Sequence, residues 1–117
     1  MTIPKPWGNE LIWARTDDYV GKVLTIEAGK RLSLQYHERK TETILVATGR
    51  LLLHFGPSVD EVETKVLGPG DHFHVPPGMV HRFEAITDTR LVEVSTPELD
   101  DVVRLVDDYG REGTSQA

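Results

Sequence analysis

The sequence has no cysteine, which removes disulfides, thiolate metal sites and cysteine nucleophiles from consideration. It also lacks any apolar run near the roughly 18 residues that span a bilayer as a helix. The opening stretch "MTIPKPWGNE" has neither the basic nor the apolar region of a secretory signal. A soluble cytoplasmic protein with no membrane partner is expected. Positive charge is scarce: 13 Lys and Arg stand against 19 Asp and Glu, a formal charge of −6. Nucleic acid demands a basic stripe, and none of the Lys and Arg clusters supplies one, so the expected partner is a small molecule or another protein. Any metal must be held by imidazole, carboxylate or amide groups.

A long stretch of helical period is missing before residue 98. Short apolar runs separated by turn residues take its place, an all-β pattern: "ELIWA", "VGKVLTIEAG", "RLSLQYH", "ETILVATG", "RLLLHFG", "EVETKVL", "DHFHVP", "MVHRFEA" and "RLVEVST". Several alternate as half-buried strands do, with Leu51, Leu53 and Phe55 on one face of their strand and Leu52 and His54 on the other. Ala28-Gly29, Thr48-Gly49, Gly56-Pro57, Gly68-Pro69-Gly70 and Pro76-Pro77-Gly78 supply the turns. With 117 residues, 38% of them hydrophobic, the chain fits one domain over residues 1–111, a sandwich or small barrel around a single core. "PELDDVVRLVDDYG" fits a short helix or a last covering strand equally well, and residues 112–117 read as a flexible tail.

Two segments carry a two-part signature. Gly29 is followed at fixed intervals by Gln35, His37, Glu42 and Gly49, and "GDHFHVPPGMVH" gives Gly70, Pro76, Gly78 and His81. This resembles the cupin superfamily pattern G-x5-H-x-H-x3-4-E-x6-G followed by G-x5-P-x-G-x2-H-x3-N, with Gln35 in place of the first histidine and Ala85 where the asparagine would fall. "PKPWGNELIW", "AGKRLSLQYH" and "DDVVRLVDDYGR" extend the resemblance from about Lys5 to Arg111. They look like the C-terminal cupin domain of the bifunctional mannose-1-phosphate guanylyltransferase/mannose-6-phosphate isomerases, the type II phosphomannose isomerases. The resemblance implies a double-stranded β-helix, a jelly-roll-like barrel, and a homodimer. It also implies one divalent metal ion, zinc first, with manganese, iron, nickel or cobalt as alternatives, held by Gln35, His37, Glu42 and His81. The physics is compatible: on a strand, residues i and i+2 share a face roughly 7 Å apart, so Gln35 and His37 point one way.

Other residues divide less sharply. His54, His72 and His74 are expected on the surface or near the mouth, with Phe73 and Val75 competing for the interior. Trp13 is expected in the core, and Trp7 on the barrel end or a partner chain, the arm "TIPKPWG" being a plausible subunit contact. Arg31, Arg39, Lys40, Arg82 and Arg104 are candidate anion contacts, with Arg31 and Lys40 first because they flank the ligand strand. Glu93 stands where the isomerases carry an acid and is the candidate general base. Thr43 and Ile44 replace the family's histidine-tryptophan after the glutamate, Lys40 replaces its arginine, and no nucleotidyltransferase segment lies within these residues. The expected function is thus a metal-dependent, mannose-6-phosphate isomerase-like enzyme of carbohydrate metabolism acting on a sugar phosphate or small polar metabolite. The alternatives are a non-catalytic sugar-binding cupin and an iron-dependent oxygenase.

Overall fold

A computed structural model describes residues 1–98, 100–111 and 113–115, the last three by backbone alone. The described chain is all strand: β1 (Thr2–Lys5), β2 (Gly8–Arg15), β3 (Val20–Ile26), β4 (Leu34–Tyr36), β5 (Glu42–Thr48), β6 (Leu51–Gly56), β7 (Glu63–Leu67), β8 (His72–Val75), β9 (Val80–Ala85), β10 (Thr89–Ser95), β11 (Val102–Val106) and β12 (Gly113–Ser115). Every run singled out in the sequence forms one of them. They make two antiparallel six-stranded sheets, β1-β2-β3-β10-β5-β8 and β12-β11-β4-β9-β6-β7. Strands that follow one another in sequence fall on different sheets at β3 to β4, β4 to β5 and β5 to β6, so the chain winds between two facing layers as in a jelly roll.

The C-terminal segment, open between helix and strand in the sequence, is strand β11. Val103 pairs with Tyr36 and Arg104 with Gln35, and β-branched Val102 is buried, a side chain that suits a pleated surface better than a helix. Of the expected tail, residues 112, 116 and 117 lie outside the described residues, and Gly113–Ser115 pair with β11.

Alternation sorts the side chains. Leu24, Ile26, Ile44, Val46, Leu51, Leu53, Phe83, Ala85 and Leu91 point between the sheets and form one apolar cluster with Trp7 and Leu67. Leu52 and His54 face the other way, as expected. Gly49 shows why the β5–β6 turn needs glycine: its φ is +89°, and a Cβ there would stand 2.2 Å from the Asp88 carbonyl oxygen.

The two tryptophans exchange their expected roles. Trp7 is 3% exposed inside the core, whereas Trp13 is 53% exposed. The reason is the phase of β2. Glu10 points inward because Lys22 and Lys5 meet it there, which sends Leu11 and Trp13 outward. A bulge at Ile12/Ala14 then lays the Trp13 ring over Gly21, where a Cβ would come within 2.6 Å of it. The N-terminal arm accordingly forms edge strand β1 and delivers Trp7 to the core. Trp7→Ala should cost about 3–5 kcal/mol of unfolding free energy in urea titrations and Trp13→Ala about 1 kcal/mol or less.

Candidate metal centre

The sequence signature closes in space because of three backbone placements. β4 and β9 are neighbours, with Gln35 directly opposite His81. Glu42 opens β5 on the facing sheet, and the Gly78 N–H donates to the His37 carbonyl at 2.7 Å, fixing the Pro-rich turn against the end of β4. His37, Glu42 and His81 are all buried and each presents a ligand-type atom, the three atoms within 4.8 Å of one another. That spacing allows a single cation to bridge them.

The imidazoles are oriented for this. His37 Nδ1 lies 2.6 Å from the Asp101 carbonyl oxygen and His81 Nδ1 lies 3.0 Å from that of Met79. A carbonyl only accepts, so both Nδ1 atoms carry the proton and donate. Both Nε2 atoms then face Glu42 Oε1, at 2.7 Å from His37 and 3.4 Å from His81, with ring centroids 5.1 Å apart. His81 Nε2 is buried with no hydrogen-bond partner among the described residues. A divalent cation seated among the three side chains would give that ring nitrogen the partner it lacks. Gln35 lines the same cavity; the Ser33 hydroxyl donates to its Oε1 at 3.2 Å.

A second carboxyl group shares the wall. Glu93 points inward from β10, is buried and lines the cavity together with Glu42. Burial, then the neighbouring Glu42, pushes the Glu93 carboxyl up to about 8. Burial acts to raise Glu42, but Lys40, and after it the two imidazoles facing the carboxylate, more than offset it and hold Glu42 well below its ordinary range. The Lys40 ammonium, buried and 3.4 Å from Glu93 Oε2, stands above its ordinary value because Glu93 and Glu42 outweigh its own desolvation.

The enclosed part of the cavity is about 50 Å³ and it is partly open to solvent, so a ligand the size of a sugar phosphate would place only its reacting end inside. Gln35, His37, Lys40, Glu42 and Glu93 line it. Arg31 does not. Its guanidinium is engaged outside, 2.7 and 3.0 Å from the Asp108 carboxylate. Arg82 spends its donors on the Leu32 and Val106 carbonyls, which fastens the C-terminal segment over the outer face of β9. Arg104 does line the cavity, its Nε buried without a hydrogen-bond partner among the described residues. Burial and the nearby Arg111 lower its pKa. Arg111 also lines the cavity and is held by Asp107 at 2.9 and 3.1 Å.

His72 and His74 are exposed on β8, and His54 sits half-buried against Glu84 at 2.9 Å, all away from the cavity. Glu10, Lys22 and Arg111 belong to the lining and were not singled out in the sequence. A signal existed for Lys22: in "VGKVLTI" it shares the inward phase of Val20, Leu24 and Ile26, and a charge in an inward phase marks a functional wall.

Comparison with known proteins gives a consistent set. Residues 22–96 match the Cupin domain family. Mannose-1-phosphate guanylyltransferase of Escherichia coli is 32% identical over 112 residues, covering 92% of this chain and 22% of that protein. The chain therefore spans about a fifth of the length of that relative. Among solved structures, KdgF from Halomonas sp. superposes with a TM-score of 0.71 at 23% identity, over 80% of this chain and 82% of that one. The S161A mutant of Bacillus subtilis oxalate decarboxylase gives 0.76 at 20%, over 90% and 30%. At these identities the structures show the fold alone.

Lys40 is the cation that holds the buried Glu42 carboxylate ionised, and removing it leaves that charge without its counter-ion. Lys40→Met should therefore destabilise the metal-free protein by about 3–5 kcal/mol. Adding Glu42→Gln should recover part of that loss in a double-mutant cycle read by urea unfolding.

Proposed function

This chain belongs to the cupin family, and on that footing we propose that it is a metal-dependent sugar-phosphate isomerase of the mannose 6-phosphate type. The observation that carries the reading is the convergence of two carbonyl-anchored imidazoles on the buried Glu42 carboxylate, with His81 Nε2 left unpartnered. His37, Glu42 and His81 would hold a divalent ion, with the Gln35 amide as the fourth protein donor. Neutral nitrogens with one carboxylate and one amide suit zinc first, and manganese, iron, nickel or cobalt as well. When bound, the ion supplies Lewis-acid stabilisation of the enediolate charge that an aldose-ketose interconversion develops.

The chain's own residues supply the rest. Glu93, in the cavity wall beside Glu42, is the proton acceptor in its ionised form, which a pKa of about 8 makes the minor form at pH 7, so turnover should rise as the pH approaches 8. The carboxylate takes the proton from C2 of the aldose and returns it to C1, while the hydroxyl proton passes from O2 to O1. Lys40, expected at the substrate anion, is instead committed to Glu93 and keeps the carboxyl pair in place. The anion falls to Arg104, whose buried and unpartnered Nε gives a phosphate a partner it otherwise lacks, with Arg111 beside it. Arg31 is left with a structural role. The mannose phosphate named for the Escherichia coli relative supports the same ligand class. The chain matches only 22% of that protein, so the activity belongs to this proposal.

Two experiments test the reading. The purified protein should contain about one divalent ion per chain and interconvert mannose 6-phosphate and fructose 6-phosphate. A chelator should abolish both and zinc or manganese restore them, while His37→Ala and His81→Ala should each weaken metal binding at least about 10-fold. Tight, metal-independent sugar binding without turnover would make it a non-catalytic cupin instead, and metal-loaded protein with no interconversion ends the isomerase claim. Secondly, Arg104→Ala should raise KM for the sugar phosphate about 10-fold or more with little change in metal content, since a charge-assisted bond is worth about 1.5–3 kcal/mol; an unchanged KM removes Arg104 from the substrate.

A further inference from the structure

The loop that carries two of the three clustered side chains is held from a distant part of the sequence. His37 directly follows β4 and Glu42 opens β5, so residues 38–41 are a short connection between the two side chains. Such a connection leaves backbone N–H groups with no strand partner, and buried N–H groups require one. The Asp101 carboxylate supplies it. Oδ1 accepts from the Glu38 N–H at 2.9 Å, and Oδ2 accepts from Arg39 at 2.7 Å and Lys40 at 2.8 Å. The same residue's carbonyl oxygen accepts from His37 Nδ1 at 2.6 Å. Asp101 is 6% exposed, so water does not substitute for these contacts.

Two consequences follow from this arrangement. The carbonyl takes the Nδ1–H of His37 and so turns Nε2 toward Glu42, 2.7 Å away, and the carboxylate fixes the backbone on which that ring and Glu42 are mounted. Both act from one residue, so moving Asp101 shifts the ring and its orienting acceptor together. Asp101 also stands immediately before β11, the strand that brings Arg104 opposite Gln35, which ties the cation-facing loop to the anion-facing strand.

We propose that Asp101 is the positioning residue of the metal centre, clamping the 38–40 turn and the His37 imidazole so that His37 and Glu42 meet a cation with His81. It touches neither metal nor substrate. The proposal rests on the metal reading of the centre and extends it to how the ligand geometry is set. Outer partners of metal ligands typically govern affinity by about 10- to 100-fold, and that is the range expected here.

The test uses the full chain and zinc competed against a chromophoric chelator, with the visible absorption of the cobalt(II)-loaded protein as a second readout. Asp101→Ala should weaken zinc binding about 10- to 100-fold and change the cobalt spectrum. Asp101→Asn keeps one acceptor oxygen but turns an NH2 group toward the backbone N–H groups; it should fall between alanine and wild type, and it carries the test if the alanine variant does not fold. Leu67→Ala, buried outside the cavity lining, serves as the stability control and should leave affinity and spectrum unchanged. Wild-type affinity and spectrum in a folded Asp101 variant overturn the proposal while leaving the metal reading intact. So does an equal loss of affinity in Leu67→Ala. If wild-type protein takes up neither zinc nor cobalt, the metal reading itself fails, and this proposal with it.

Discussion

The buried carboxylate of Glu42 is the constraint around which the polar half of the barrel is organised. An ionised acid taken out of water is costly unless it is met by charge and by hydrogen-bond donors. Glu42 is 2% exposed and stays ionised because Lys40, His37 and His81 surround it. Each of those groups in turn needs its own support. Lys40 is shared with Glu93, and the imidazoles are anchored on backbone carbonyls through their far nitrogens. The result is a network in which no member can be removed without stranding another.

That network divides the interior in two. On the inner face of the first sheet, Ile26, Leu24, Leu91, Val46 and Ile44 give an apolar floor, closed from the other sheet by Leu51, Leu53 and Phe83. Beyond it the same strands present Lys22, Glu93 and Glu42. Phe83 lies at the boundary, its ring centroid 5.5 Å from that of His81. The apolar half supplies most of the burial that stabilises the fold, and this lets the other half hold several charged groups at close quarters. A low-dielectric surround also strengthens each electrostatic contact that a ligand would make there.

The C-terminal strand makes the two halves into a site. β11 brings Arg104 opposite Gln35, Asp101 ties its start to the 38–40 turn, and Arg82 and Arg31 bind the segment after it from outside through the Val106 carbonyl and Asp108. Basic residues that look alike in sequence therefore do different things: Arg31 and Arg82 are fasteners, Lys40 is a counter-ion, and Arg104 faces the cavity with its buried Nε unpartnered among the described residues.

Strand-forming runs, turn glycines and the spacing of Gln35, His37, Glu42 and His81 were legible from the chain because each depends on local rules: period-two alternation, positive φ, and a fixed count of residues between turns. The all-β class followed from them, and the family from the resemblance of that spacing to the cupin signature. The exchange between Trp7 and Trp13 was not legible, since it turns on which face of β2 is inward, and that was settled by a Glu10–Lys22 pair formed across strands. Nor could the sequence assign Arg31 outward and Arg104 inward, or show that Asp101 reaches back more than sixty residues to hold His37. Local rules fix which way neighbouring side chains alternate. Only the packing of one sheet on the other decides which of the two faces is the inside, and which distant charges must therefore meet.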